Sequence, residues 1–359
     1  MNKNSLKQFK VENFRNLQPS LLTFSKDINV IIGNNGNGKT NLLEAIYYLF
    51  QGKSFRKKNS FPQMLSTDCV KGEIIFNATF KKGNIENYIS GKQLSSGGTF
   101  FLNNKKVSRN KLKMVFISPH DAFLFFNDST FRKDKINSLF GLLDSEFKKL
   151  SGSYGKYLKH KSAMLKGKVD FDKKLLQIYN EELARLTKVL TIKKSELIEI
   201  VNPFLERIFE NIFGEKLSLS LNLKSKFVGL KSEEILDLFS KDLQKETILK
   251  TTLSGQHKDD YEVFLEGFLA QEYGSLGQLK MSYFSILFAF IKVLYCKINE
   301  SPIVLIDDVS GELDHIRLKQ LLLFLENLES QVFLTSANNE LFLGDEKVKI
   351  INVSDGVFS

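Results

Sequence analysis

The stretch Asn29-Val-Ile-Ile-Gly-Asn-Asn-Gly-Asn-Gly-Lys-Thr-Asn41 decides how the chain folds. Asn29 to Ile32 reads as a short buried strand, Gly33 to Thr40 fits G-x-x-x-x-G-K-[ST], and Leu42-Leu-Glu-Ala-Ile-Tyr-Tyr-Leu49 continues with helical periodicity. Strand, glycine-rich loop and helix in that order form a P-loop. Gly33, Gly36 and Gly38 let consecutive backbone N–H groups converge on phosphate oxygens at the positive end of the helix. Lys39 adds a point charge near the β- and γ-phosphates, and the Thr40 hydroxyl suits a small octahedral Mg²⁺. Asn34, Asn35 and Asn37 tolerate left-handed backbone, and Asn41 completes the phosphate-side set.

A chain of 359 residues with 42% hydrophobic residues can bury a core as one large domain or two smaller ones. No run of eighteen apolar residues exists, and residues 1–10 alternate like a strand rather than a signal peptide, so a cytoplasmic protein with no membrane partner is expected. Cys69 and Cys296 are too few for a disulfide framework and read as core or near-core thiols. The four histidines show no metal-ligand spacing. A net charge of +10 favours a polyanionic partner such as nucleic acid, although lysine-rich, Trp-free composition also fits AT-biased coding.

Along the chain, residues 5–12 and Leu21 to Phe24 alternate as a strand pair leading into the P-loop strand. Glu73 to Phe80, Ile85 to Ile89 and Thr99 to Leu102 read as antiparallel strands with a hairpin turn at Asn103-Asn104, and Lys113 to Ile117 as a further strand. From about residue 130 the period becomes helical. Phe131 to Leu150 reads as one amphipathic segment, and Phe171 to Phe213 as helix interrupted at Pro203. Nine lysines against three acids between 146 and 174 read either as a solvated face or as a DNA track. Strands follow at 217–223 and 261–265, helices at 233–245, 277–298 and about 315–328, strands at 303–306 and 331–334, and a last hairpin at 347–358. The expected fold is α/β: residues 1–120 and 270–359 form a head assembled from both chain ends, and 121–269 form a mainly helical inserted lobe or short arm.

Pro302-Ile-Val-Leu-Ile-Asp-Asp308 is an apolar strand ending in two carboxylates. A strand beside the phosphate loop would let Asp307 enter the Mg²⁺ shell with Thr40, while Asp308 orients or deprotonates water.

Glu272-Tyr-Gly-Ser-Leu-Gly-Gln-Leu279 is similar to the S-x-G-Q signature of ABC-type ATPases, and Val309-Ser-Gly-Glu-Leu-Asp314 to their D-loop. With Val11 to Asn16, Gly52-Lys-Ser-Phe-Arg56, Ile117-Ser-Pro119, Gly255 to Asp260 and Leu305 to Val309 in family order, the chain resembles the RecF family of bacterial DNA replication and repair proteins, relatives of the SMC heads. The family usually has Pro and Arg where this chain has Gln256 and Lys258, a doubled arginine where it has Arg132-Lys133, and Gln-Arg where Leu279-Lys280 stands. The resemblance implies an ATP-binding, ABC-type head that forms an ATP-dependent homodimer. Ser275, Gly277 and Gln278 of one subunit would meet the nucleotide of the other, with Glu312 and Asp314 in the D-loop and Arg15 near the phosphates. It also implies weak, slow ATP hydrolysis with Mg²⁺, binding to single-stranded, duplex or gapped DNA, a role in gap repair and the SOS response, and partnership with RecO and RecR. His257-Lys-Asp-Asp260 is expected to be structural or inter-lobe rather than a metal site. An SMC-like organising protein and a transporter ATPase subunit are the rival readings; the short insertion disfavours the first and the basicity the second.

Overall fold

The computed structural model describes residues 3–56, 60–107, 112–167, 172–214, 216–309, 315–337, 342 and 347–359. In chain order the first elements are β1 (Ser5–Glu12), β2 (Leu22–Thr23), β3 (Ile28–Ile32), α1 (Lys39–Gln51), α2 (Phe61–Met64), β4 (Ile74–Lys82), β5 (Ile85–Leu94), β6 (Gly97–Leu102), β7 (Lys105–Val107) and β8 (Met114–Ile117). Then come α3 (Asp121–Asn127), α4 (Ser129–Leu143), α5 (Ser145–Leu165), α6 (Lys173–Phe213), β9 (Leu219–Lys224), α7 (Ser232–Leu249), β10 (Asp260–Leu265), β11 (Phe268–Leu269), α8 (Ala270–Tyr273) and α9 (Leu276–Ile298). The chain ends with β12 (Ile303–Ile306), α10 (His315–Glu326), β13 (Val332–Ser336), β14 (Val348–Ser354) and β15 (Val357–Phe358).

Two compact units emerge: Met1–Ala122 with Glu210–Gly214 and Leu294–Ser359, and Phe123–Phe209 with Glu215–Val293. The first holds two six-stranded sheets. One is antiparallel in the order β2-β1-β4-β5-β6-β7; the other runs β15-β14-β3-β13-β12-β8, parallel except for the β15 edge. Strands β3, β12 and β13 are buried at every position, which is why apolar residues fill most of each, with Asn29, Thr335 and Ser336 as the buried polar exceptions. Strands β1 and β4 alternate because one face of their sheet meets solvent.

Helix α1 shares one apolar core with both sheets. Its Leu42, Leu43, Ile46, Leu49 and Phe50 cluster with Phe9, Phe76 and Phe80 of the antiparallel sheet and with Ile31, Leu305 and Phe333 of the parallel one. The Phe50 and Phe80 rings meet edge-on at 5.3 Å. Each such aromatic truncated to alanine would cost about 3–5 kcal/mol, so the loop preceding α1 stands on a rigid support.

The second unit combines a three-stranded sheet, β11-β10-β9, with helices α3 to α7, α8 and most of α9. Three sequence expectations are corrected here. Phe131 to Leu150 is not one helix: Asp144 breaks it, leaving helical conformation so that its carboxylate accepts from the N–H groups of Glu146 and Phe147 and caps α5. Helix α6 is not interrupted at Pro203 but runs 41 residues through it, about 60 Å at 1.5 Å per residue. Proline removes one donor there, and neighbouring Asn202 ties the segment to β9 by bonds to both polar groups of Leu221 (3.1 and 2.9 Å). Nor is the lysine-rich stretch wholly a solvated face or a track, since Lys161 is buried against the equally buried Glu246 at 2.7 Å.

Helix α9 is long and apolar enough to cross a membrane, yet 72% of its most apolar stretch is buried inside the protein, as in a core helix. Cys296, expected near the core, is exposed in its last turn, and Cys69 is half-buried. Asn103 and Asn104 both take positive φ (47° and 66°), the geometry of the tight hairpin expected there.

Candidate phosphate-binding site

The site forms where parallel strands end. Strand β3 delivers the glycine loop, β12 delivers Asp307 and Asp308, β13 delivers Thr335, and β8 leads to His120. The acid-bearing strand reaches the phosphate loop without neighbouring the P-loop strand: β13 lies between β3 and β12. That insertion brings in Thr335, which the sequence reading missed. Its hydroxyl donates to Asp307 Oδ1 at 2.6 Å and accepts the Asp308 N–H at 2.7 Å. No local motif marks this threonine, because its partners lie 28 and 27 residues away across the sheet.

Loop geometry explains its glycines. Gly36 and Gly38 take φ of 88° and 105°, conformations open to glycine, and Gly38 caps α1. At Gly33 the reason is space: a Cβ would stand 2.3 Å from the Val353 carbonyl oxygen. The turn between β14 and β15 props the loop from below. Gly356 donates its N–H to the Asn37 carbonyl (3.0 Å), and Asn37 Nδ2 donates to the Val353 carbonyl (3.2 Å).

Lys39 Nζ donates to the carbonyls of Gly33 (2.6 Å) and Asn34 (3.1 Å). Burial pushes its pKa below the ordinary lysine value, opposed by Asp308 and Asp307. Thr40 Oγ1 lies 2.9 and 3.0 Å from the two oxygens of Asp307. Burial holds the Asp307 carboxyl above the usual carboxylate range despite the hydroxyls of Thr335 and Thr40, and neighbouring Asp308 raises it further. Asp308 adopts a positive φ of 53°, and its Oδ2 stands 3.8 Å from His120 Nε2. Asn35, Gly36, Gly38, Lys39, Thr40, Asn41, Arg56, Asp307, Asp308 and Thr335 line a cavity of about 210 Å³. Small-molecule pockets run to roughly 300–1,000 Å³, so this hollow suits a phosphate tail whose remaining groups lie outside.

Arg15 is expected near the phosphates from the family resemblance. Its guanidinium instead grips Glu44 in α1 through Nε (2.7 Å) and Nη2 (3.2 Å), and it does not line the cavity. Glu44 is fully buried in the apolar core, so its charge requires these partners. Ser54 donates to it at 2.5 Å, and Arg56 Nη1 stands 3.3 Å away. Arg56, missed as a site residue, also donates to Asn41 Oδ1 (2.9 Å) and is the arginine that faces the phosphate hollow.

In the second unit, Ser275, Gly277 and Gln278 open α9. Ser275 Oγ accepts the Gln278 N–H (3.2 Å), and Gln278 Oε1 accepts the Ser275 N–H (2.9 Å), a reciprocal capping box. Leu276 beside them is 70% exposed, so this helix start faces solvent in the single chain. Glu312 and Asp314 lie outside the described residues.

His257 to Asp260 are engaged by protein groups. Arg132 pairs with both carboxylate oxygens of Asp260 (3.0 and 2.5 Å), and Lys133 Nζ donates to the His257 carbonyl (3.2 Å). Lys194 and Asp259 form a buried pair at 3.0 Å, and Tyr154 Oη lies 2.8 Å from His257 Nδ1. Burial, then Lys258, lowers the His257 pKa to about 4, so the ring is neutral at neutral pH. Arg132-Lys133 and Gln256 to Asp260, two of the three stretches where the chain departs from the family's usual residues, therefore meet each other.

The profile of the RecF/RecN/SMC N-terminal domain matches residues 5–359. The DNA replication and repair protein RecF of Clostridioides difficile (strain 630) is 29% identical, covering 98% of this chain and 97% of its own; that of Staphylococcus aureus (strain JH9) is 30% identical, covering 93% of each. A solved structure of the recombination mediator protein RecF with ATP, in the RecFOR pathway, superposes with a TM-score of 0.85 at 23% identity over 100% of this chain and 99% of that one. An SMC head from Pyrococcus furiosus reaches 0.57 at 16% identity, over 99% and 95%. Sequence and fold agree, and the chain belongs to the RecF family of ABC-type ATPase heads.

Proposed function

We propose that this protein is an ATP-dependent DNA clamp of recombinational repair and replication, acting in gap repair and the SOS response. ATP closes two copies into a dimer, and slow hydrolysis releases them. The observation that carries this reading is the convergence of Lys39, Thr40, Asp307 and Asp308 around a phosphate-sized hollow at the start of α1. Support comes from relatives named DNA replication and repair proteins and from the RecF–ATP structure.

Phosphate oxygens entering the hollow would replace the Gly33 and Asn34 carbonyls as partners of the Lys39 ammonium, while N–H groups of the loop and first helical turn take the remaining charge. Thr40 and Asp307 present oxygens within 3.0 Å of each other, a donor set that fits Mg²⁺. Bound there, the ion supplies charge neutralisation to the β- and γ-phosphates. Asp308 stands where its carboxylate can orient a water and accept its proton; Thr335 fixes both acids. Ser275, Gly277 and Gln278 would complete the partner copy's site, the capping N–H and hydroxyl turning toward the γ-phosphate. DNA, RecO and RecR are the partners, in the cytoplasm.

Solution mass by light scattering tests the reading on wild type, Lys39→Ala and Ser275→Arg, each with and without ATP and Mg²⁺, then with gapped duplex. Wild type alone should move from monomer to dimer, more strongly with DNA. Monomers throughout would reject the dimer mechanism.

A further inference from the structure

The solvent face of the antiparallel sheet is not used by the phosphate site. Register places Lys10, Asn77, Ser90, Phe101 and Lys106 in one row across β1, β4, β5, β6 and β7, with Tyr88 in the next row. Residues paired in register share a face, and the opposite face carries the buried Phe9, Phe76, Ile89 and Phe100. Two aromatic rings are therefore exposed on the outer face, Tyr88 at 43% and Phe101 at 39%. Tyr88 does not stand free. Its hydroxyl donates to Asn77 Oδ1 on the neighbouring strand (2.8 Å), and its backbone N–H donates to Asn103 Oδ1 (2.8 Å), so the ring leans across the sheet and offers a face to solvent.

Tyr88 and Phe101 are diagonal neighbours, a spacing of about 7–8 Å between backbones. Successive bases of an extended strand can each meet one ring at that spacing. Beside Tyr88 the face opens into a hollow of about 810 Å³ lined by Lys3, Lys7, Lys26 and Lys81 with Thr79 and Glu86. Lys3 is paired with Asp27 and Lys7 with Glu86. Lys26 and Lys81 form no ion pair within 4.0 Å among the described residues; Lys81 stands opposite Glu86 across the strands and shares its field, and Glu329 also lines the hollow, so of the two Lys26 is the less committed to a carboxylate. Glu12 and Glu73, each paired with a lysine of this face, keep it from being uniformly basic, so affinity would rest on stacking as much as on charge.

We infer that this sheet face and its adjoining hollow bind single-stranded DNA, Tyr88 and Phe101 stacking bases while Lys26 and Lys81 hold the backbone. The inference rests on the DNA-binding reading above and adds the surface and the strand form. Duplex DNA, whose bases are already stacked, gains nothing from the rings.

The test measures fluorescence anisotropy of full-length wild type, Tyr88→Ala, Phe101→Ala, Tyr88→Phe and Lys26→Ala/Lys81→Ala, using a twenty-residue oligothymidylate and a duplex of equal length across a salt series. Each ring truncation should weaken single-strand binding on the order of tenfold and leave duplex binding unchanged. Tyr88→Phe should retain most of the affinity, since the ring remains. The double lysine variant should flatten the single-strand salt slope by about 1.4, roughly 0.7 per phosphate contact. Unchanged single-strand affinity in both alanine variants, or duplex binding by a wild type that ignores single strands, overturns the surface assignment alone. A wild type that binds neither form removes the DNA-binding reading with it.

Discussion

Replacing Thr335 by valine would test whether the two acids are held by this side chain. The swap keeps the shape and removes one hydroxyl, which is fully buried and serves Asp307 and the Asp308 N–H at once. A hydrogen bond to a charged group is worth about 1.5–3 kcal/mol, and a buried N–H left without a partner costs about 1–3 kcal/mol. Relaxation at the edge of the cavity offsets part of both, so the nucleotide-free protein should lose about 2–4 kcal/mol. Thr335→Ser keeps the hydroxyl and loses one methyl, a change of about 1 kcal/mol. Urea unfolding without nucleotide reads the difference as a shift in midpoint at constant slope. Adding ATP and Mg²⁺ should then stabilise the serine variant as it does wild type and the valine variant less, because Asp307 has lost the group that fixes its orientation. If the valine variant is as stable as the serine variant, the hydroxyl is not the tie that links β13 to the acids, and this reasoning fails.

The remaining expectations follow from single contacts. Asp307 holds its proton above the usual carboxylate range, so the native state binds more protons than the unfolded chain between the ordinary aspartate value and the raised one. Stability from this group therefore falls as pH rises through that window, whereas Mg²⁺-ATP binding, if it uses the carboxylate as proposed, should weaken as pH falls through it; urea unfolding checks the first sign and isothermal titration the second, each at several pH values with Asp307→Asn as the pH-insensitive control. Gly356→Ala would put a Cβ 1.9 Å from the Asn16 carbonyl oxygen and strain a φ of 79°, so the prop beneath Asn37 should shift and ATP affinity should drop with little change in far-UV circular dichroism. Lys161→Met alone strands Glu246 in the interior and should cost about 3–5 kcal/mol, while Lys161→Met with Glu246→Leu should recover most of it, as measured by denaturation of both variants. Glu44→Gln should free Arg15 and Arg56 and raise the ATP dissociation constant by loosening the arginine at the hollow, which fluorescent-nucleotide titration would detect.

What could be read from the sequence divides along physical lines. The P-loop and the apolar strands are local: a few consecutive side chains determine the backbone, so Gly33 to Thr40 and Ile303 to Ile306 are legible in the sequence. Strand order is not local. Nothing in Val332 to Ser336 says that it enters between β3 and β12, and Thr335 was invisible until that insertion was known. The same holds for Glu44, an acidic residue in an apolar helical run whose surroundings the run itself does not specify. Its burial follows only when α1 is seen to share a core with both sheets, and with it the diversion of Arg15 from the phosphates and the arrival of Arg56.

The signature stretch caps its own helix, and the proposed dimer would ask it to meet a second physical demand. Ser275 and Gln278 were read as phosphate contacts, and in the single chain they cap their own helix. A capping interaction of this kind contributes about 0.5–2 kcal/mol, so turning the hydroxyl away to meet a phosphate costs no more than that. The anion would then take over the cap's role, accepting from the same N–H groups with a full charge at the helix's positive end. Substituting Ser275 by alanine should accordingly shorten the life of an ATP-bound dimer while costing the monomer only about 1 kcal/mol, and substituting it by aspartate should separate the two demands. Aspartate caps as well as serine, yet its charge opposes a phosphate. A Ser275→Asp protein that is as stable as wild type but stays monomeric with ATP would establish that the helix start serves the partner's nucleotide, and one that dimerises normally would leave the motif as a cap alone.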